Sequence, residues 1–232
     1  SKGHFYVDGH PLSSGKVELK YMTAKEEDIL TSQNLIQQGT VIDVLLQSLI
    51  VDKTININEL LIGDKNAIMV AARILGYGKE YEFEYEGVEQ SVDLTELESV
   101  KIDFKKLPKG TNEFSYELPN SKRTITFKLL NGKDEKDIEA DIKAMEKITK
   151  LQSSGLTTRF KKMILSVDGN SEKSYINNFV DNEFLSRDSL SFRQYLGKIT
   201  PDMDMTTIIK DSSGKETEVV IPITVRFFWP NT

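Results

Sequence analysis

From Thr23 onward the apolar residues of the chain recur at helical spacing, and from Glu80 they alternate with charged residues. Thr23-Ala24-Lys25-Glu26 has the form of a capping box, in which the Thr hydroxyl accepts a backbone N–H three residues on and the Glu reaches back to the Thr amide. A helix is predicted to begin there. Thr40 and Asp43 repeat the arrangement ahead of a helical stripe formed by Ile42, Leu45, Leu46, Leu49 and Ile50. A third helix is predicted after Asp64, with Ile68, Ala71, Ala72 and Leu75 at i, i+3, i+4 and i+7, and with Gly76 and Gly78 supplying a left-handed exit. Residues 23–78 thus read as a helical module, preceded by an extended segment at 1–15 and a short strand at 16–21.

The period then becomes two. Tyr81, Phe83 and Tyr85 alternate with Glu82, Glu84 and Glu86, Gly87 turns the chain, and residues 88–94, 114–118 and 124–130 continue as strands of one small antiparallel sheet. Asn131-Gly132 ends that sheet, and Asp134 is placed to cap a long helix carrying Ile138, Ile142, Met145, Ile148 and Leu151. Further helices are expected at 158–167, 174–184 and 189–196. A final hairpin places Met203, Met205 and Ile208 before the turn Asp211-Ser212-Ser213-Gly214, and Val219, Ile221, Ile223, Val225 and Phe227 on alternate positions after it. The expected fold is α+β and cysteine-free, with helical parts at about 23–78 and 134–200 and β parts at about 80–130 and 203–229. The closing hairpin is expected near the helical module in one composite domain spanning 1–232, with two loosely joined domains as the alternative. No internal repeat, low-complexity tract or linker stands out.

Composition narrows the class. With 38% hydrophobic and 28% charged residues in 232, the chain has enough apolar matter to fold by burial alone. The apolar run at 41–51 is interrupted by Asp43, Gln47 and Ser48, so no membrane span is expected. The absence of cysteine excludes a disulfide framework, a thiolate zinc site and a Cys nucleophile, and suits a reducing cytoplasm. The chain opens at Ser1 without a signal-peptide pattern, so none is expected. A net charge of -6 spread over mixed-sign segments leaves no broad basic surface, and nucleic acid is not an expected partner.

Catalytic chemistry finds few materials. His4 and His10 flank Asp8 and offer two or three metal ligands, but in an extended segment that does not fix their geometry. No Gly-x-Ser-x-Gly accompanies them, and the Gly-Lys pairs at 15–16, 78–79, 132–133 and 214–215 lack the other elements of a phosphate loop. Carboxylates cluster at Glu26-Glu27-Asp28, at Asp134-Glu135-Asp137, and at Asp202 with Asp204. The first two clusters fall in initial helical turns, where acids meet unpaired N–H groups, and the third suits the wet face of a strand. A metal-assisted hydrolase using Asp202, Asp204 or the Glu26 cluster is the enzymatic alternative; no catalytic, metal or cofactor residue is assigned. Phe227, Phe228 and Trp229 are the candidate anchor, either of the core or of a partner contact, with Phe227 and Trp229 on one face of a strand and Phe228 on the other.

The order of several short motifs is more specific than any one of them. Ser1-Lys2-Gly3 with Phe5-Tyr6, Met22-Thr23-Ala24-Lys25-Glu26-Glu27-Asp28-Ile29-Leu30, and Leu61-Ile62-Gly63-Asp64-Lys65-Asn66 come first. Arg73-Ile74-Leu75-Gly76-Tyr77-Gly78-Lys79-Glu80-Tyr81, Tyr195-Leu196 with Pro201-Asp202-Met203, and Phe227-Phe228-Trp229-Pro230 follow. In this order the chain resembles, over nearly its whole length, the baseplate hub assembly proteins of T-even-like bacteriophages. The resemblance implies a non-enzymatic late viral protein that helps build the hub of a contractile tail, as a subunit or as an assembly chaperone. Its partners would be other baseplate hub proteins, with a homo-oligomer also open, in the host cytoplasm during assembly or in the virion. Some relatives carry Cys pairs on two hairpins, as zinc knuckles require; here Glu86-Gly87-Val88-Glu89 and Asp211-Ser212-Ser213-Gly214 stand there, so no zinc is expected. An unrelated cellular interaction domain would share the same composition and periodicity.

Overall fold

The computed structural model describes residues 1–149, 155–210 and 214–228. In chain order they form α1 (Ala24–Leu30), α2 (Gln33–Gln38), α3 (Val41–Leu49), α4 (Ile62–Tyr77), β1 (Glu80–Tyr85) and β2 (Val88–Asp93). Then come β3 (Phe114–Glu117), β4 (Thr124–Phe127), α5 (Gly132–Thr149), α6 (Leu156–Met163), β5 (Ile164–Val167), α7 (Lys173–Asn178), α8 (Ser186–Ile199), β6 (Thr206–Lys210) and β7 (Glu216–Val220). The fold is α+β: helices with small antiparallel sheets, ordered β1-β2, β3-β4-β5 and β6-β7.

Several boundaries differ from expectation, each for a local reason. The helix expected at 158–167 stops at Met163, and Ile164–Val167 becomes a strand because β4 offers it a ladder, Ile125 pairing with Val167 and Phe127 with Ile164. The strands expected as one sheet from 81 to 130 belong to two, since β1 pairs only with β2 and β3 pairs with β4. The short strand at 16–21 reduces to a bridge between Leu19 and Ile50. Helix α4 starts at Ile62, before Asp64, and its buried residues include Ile68, Met69, Ala72 and Arg73, while Leu75 is exposed. Gly78, not Gly76, takes the left-handed conformation, with φ 85°. In the last hairpin Ile209 is buried and Ile208 exposed, one residue out of the expected phase. Leu151, Asp211, Ser212, Ser213 and Trp229 lie outside the described residues.

Contacts gather into two compact units. The first takes Ser1–Lys16, Asn58–Ile62 and the described part of Lys101–Thr200. Its core lines the inner face of β3-β4-β5 with Phe114, Ile125, Phe127 and Val167, covered by Phe160, Phe179 and Phe192. Phe127 meets Phe192 edge-to-face at 4.9 Å between centroids, a favoured aromatic geometry. The second unit takes Val17–Ile57, Gly63–Val100 and the described part of Pro201–Thr232, so the closing hairpin shares a unit with α1, α3 and most of α4. There α1 packs on α3, burying Leu30, Leu45, Leu46 and Leu49.

One local plan occurs twice, a repeat that residue identity hides. Lys20-Tyr21-Met22-Thr23-Ala24-Lys25-Glu26 leads into α1, and Lys128-Leu129-Leu130-Asn131-Gly132-Lys133-Asp134 leads into α5. In each, the first Lys donates its backbone N–H to the chain leaving a later helix: Lys20 to the Leu49 carbonyl at 2.9 Å, Lys128 to the Met163 carbonyl at 3.0 Å. Each of those helices, α3 and α6, ends at an isoleucine in extended conformation, Ile50 with ψ 124° and Ile164 with ψ 126°. The next long helix is α4 in one case and, after β5 and the short α7, α8 in the other, and each is followed by a two-stranded hairpin. Among the described residues, no helix is long and apolar enough to cross a membrane.

Close backbone approach explains one glycine. A Cβ on Gly63, at the second position of α4, would lie 1.9 Å from the Pro201 carbonyl oxygen and 2.6 Å from the Asp202 Cα. Gly63→Ala is therefore expected to destabilise by about 1–3 kcal/mol in urea unfolding, despite alanine's better helix propensity. Gly76→Ala, opposed only by the flexible Met22 side chain at 2.9 Å, should cost less.

Candidate interaction surface

Four of the acids weighed for catalysis, Glu26, Asp134, Asp202 and Asp204, hold turns and helix starts. Glu26 is fully buried. Its Oε2 accepts the Thr23 N–H at 3.0 Å and the Thr23 hydroxyl at 2.6 Å, and its Oε1 accepts Lys20 Nζ at 2.6 Å and Ser48 Oγ at 3.3 Å. Burial alone would raise its carboxyl, but the bonds from Lys20 and Thr23 outweigh it and hold the pKa at about 2 instead of 4.5. Asp134 is not the helix cap expected: Asn131 is, accepting the Asp134 N–H at 3.0 Å, while Asp134 accepts the Asn131 N–H at 3.2 Å and Lys128 Nζ at 2.7 Å. Asp202 accepts from Asn66 at 2.9 Å and from the Met203 N–H at 2.8 Å. Asp204 accepts the Thr206 N–H and hydroxyl, which lower its pKa. Both precede β6 and turn the chain into it, whereas alternation had placed them on a strand face.

The histidines are similarly occupied. His4 Nε2 lies 3.2 Å from the Leu107 carbonyl and its ring packs on Phe5 and Phe104. His10 Nδ1 accepts the Leu12 N–H at 3.1 Å, and its ring stacks on Tyr6. Among the described residues, no group of three His, Cys, Asp or Glu side chains could hold a metal. Gln90 Nε2 donates to the Lys210 carbonyl at 3.2 Å, linking β2 to β6.

Phe227 and Phe228 are both fully buried. They lie in a 3₁₀ turn, Val225–Phe228, not in the expected strand, and so both rings turn inward where alternation would have sent them to opposite faces. Phe227 meets Tyr81 at 4.9 Å and Phe228 at 5.2 Å between centroids. The Tyr81 hydroxyl donates to the Pro222 carbonyl at 3.2 Å, so β1 and the segment after β7 are tied at two levels.

Beside this anchor opens a groove of about 520 Å³ that no sequence motif announced, lined by Arg73, Tyr77 and the β1 residues on one side and by Pro222, Thr224 and Arg226 on the other. Arg73 is buried, its NH1 and NH2 donating to the carbonyls of Gly78 at 2.9 Å and Glu80 at 3.0 Å. The guanidinium carbon sits 5.5 Å from the Tyr77 ring centre and 5.8 Å from that of Tyr81. Burial pushes its pKa down. Its Nε is buried without a hydrogen-bond partner. The arrangement offers donors, carboxylates and aromatic surface for recognition.

Two measurements check these assignments. Because the folded pKa of Glu26 lies below its unfolded value, its contribution to stability is complete above about pH 4.5 and is lost as pH falls toward about 2. The unfolding free energy of Glu26→Gln should therefore change less over that window than that of the parent, measured by urea unfolding at stepped pH. Phe227→Ala should cost about 3–5 kcal/mol in the same assay at neutral pH. No family model matches the chain, and no curated protein or solved structure matches it.

Proposed function

We propose that this protein is a non-enzymatic assembly component of a contractile phage tail, which helps to build the central baseplate hub through contacts with other hub proteins. The ordered resemblance along the chain supplies the biological setting. The observation that carries the non-catalytic part is the commitment of the acidic clusters: Glu26, Asp134, Asp202 and Asp204 each accept hydrogen bonds that close a helix start or a turn. A carboxylate held in that way serves the fold, whereas a general acid or a metal ligand needs lone pairs directed at an open site. The groove beside Arg73 supplies a surface with unspent recognition groups. On this reading the protein acts in the infected host's cytoplasm and then either stays in the baseplate or leaves as a chaperone.

Co-expression with the hub proteins of a contractile phage tail, followed by size-exclusion chromatography, should bring the chain out with at least one of them. Elution unchanged by every hub protein would contradict the proposal. Mass spectrometry of purified virions separates the two versions, a retained subunit being detected in stoichiometric amount and a chaperone not at all.

A further inference from the structure

We infer that the outer edge of β1 accepts an extended segment of a partner protein as an added strand, with basic and apolar residues alternating along it. The inference rests on the assembly reading above and names the surface and the partner chemistry that it requires. β1 and β2 are joined by a two-residue turn, Glu86 at φ 49° and Gly87 at φ 78°, with Tyr85 opposite Val88. In such a hairpin the residues flanking the turn exchange hydrogen bonds, and so does every second pair beyond them. Tyr81, Phe83 and Tyr85 therefore spend their main-chain groups on β2, a phase carried on by the Leu94 N–H bonded to the Lys79 carbonyl at 2.8 Å. Glu80, Glu82 and Glu84 direct theirs to the other edge.

That edge faces the groove. Arg73 already takes the Glu80 carbonyl there, which confirms its direction. Glu82 and Glu84 remain: among the described residues no strand pairs with β1 other than β2. An unpaired edge is a template for strand addition. The choice of partner follows from the two faces of β1. The carboxylates of Glu80, Glu82 and Glu84 are exposed on one face, roughly 7 Å apart, the spacing of alternate residues on an added strand. Tyr81 and Phe83 lie on the other face with Tyr77 and Arg73. An incoming strand thus meets acids with its basic residues and aromatic rings with its apolar ones.

The test uses the full chain and a labelled peptide of alternating lysine and valine, about eight residues long. Fluorescence polarisation should show binding, about tenfold weakened in the Glu82→Lys/Glu84→Lys variant, whose two positions are exposed and whose unfolding midpoint should stay at the parent value. Hydrogen exchange should slow at the Glu82 and Glu84 amides when the peptide is bound, and not at those of Tyr81 and Phe83. Equal binding of a peptide with its lysines and valines in separate blocks, equal binding by the variant, or unaltered exchange at Glu82 and Glu84 would each overturn the inference. Loss of peptide binding with hub proteins still co-eluting removes the groove and keeps the assembly role; peptide binding without any hub partner keeps the groove and removes that role.

Discussion

Every buried carboxylate among the described residues sits at the third position of a helix: Glu26 in α1, Asp43 in α3, Asp134 in α5 and Asp188 in α8. Removing a carboxylate from water costs several kcal/mol, and the first turn of a helix is where the chain itself can offset that cost, with unpaired N–H groups and the positive end of the dipole. Here each acid also has a specific partner. Lys20, Lys65 and Lys128 neutralise the first three at 2.6, 2.5 and 2.7 Å. Asp188 instead accepts three N–H groups from Asn120 and Ser121, which hold its carboxyl below the usual range against the upward push of burial. The acids thereby tie helix starts to segments distant in sequence, Asp188 to the turn between β3 and β4 and Asp43 to α4.

This constraint explains which parts of the fold could be read from sequence. The Thr23–Glu26 box was legible because both partners lie within one helical turn and the donors are the chain's own amides. Its twin at Asn131–Asp134 was half legible: the acid was seen, but Gly132 between cap and acid suggested a turn, and the cap was assigned one turn too late. The lysines six residues upstream were invisible, since their role depends on a backbone path set by pairing with residues 49 and 163. Ile164–Val167 is a strand within an expected helix because a short apolar run carries no period of its own, and only the ladder with β4 makes it a strand. Ile208 and Ile209 exchanged places because adjacent isoleucines fit either phase of a strand.

The site shows the same division. Phe227 and Phe228 were singled out as anchors by composition, yet their geometry depended on a 3₁₀ turn that alternation could not foresee. The groove was not legible at all. It forms where the exit of α4, the edge of β1 and a segment some 140 residues later come together, as the Tyr81 to Pro222 hydrogen bond records. The division also separates roles: Glu26 and Asp134 are buried, and Asp202 and Asp204 are engaged in turns, while the acids of β1, unremarked for chemistry, are exposed.

The central claim is that in α1 and α5 the buried third-position acid and the lysine six residues upstream act as one unit in setting the helix start. A double-mutant cycle on Lys128→Met and Asp134→Asn, followed by urea unfolding, tests it most directly. The account predicts a coupling of about 1–3 kcal/mol, with the double variant less destabilised than the sum of the single ones. Additive single effects, with a coupling indistinguishable from zero, would show that the pair is incidental and would contradict it.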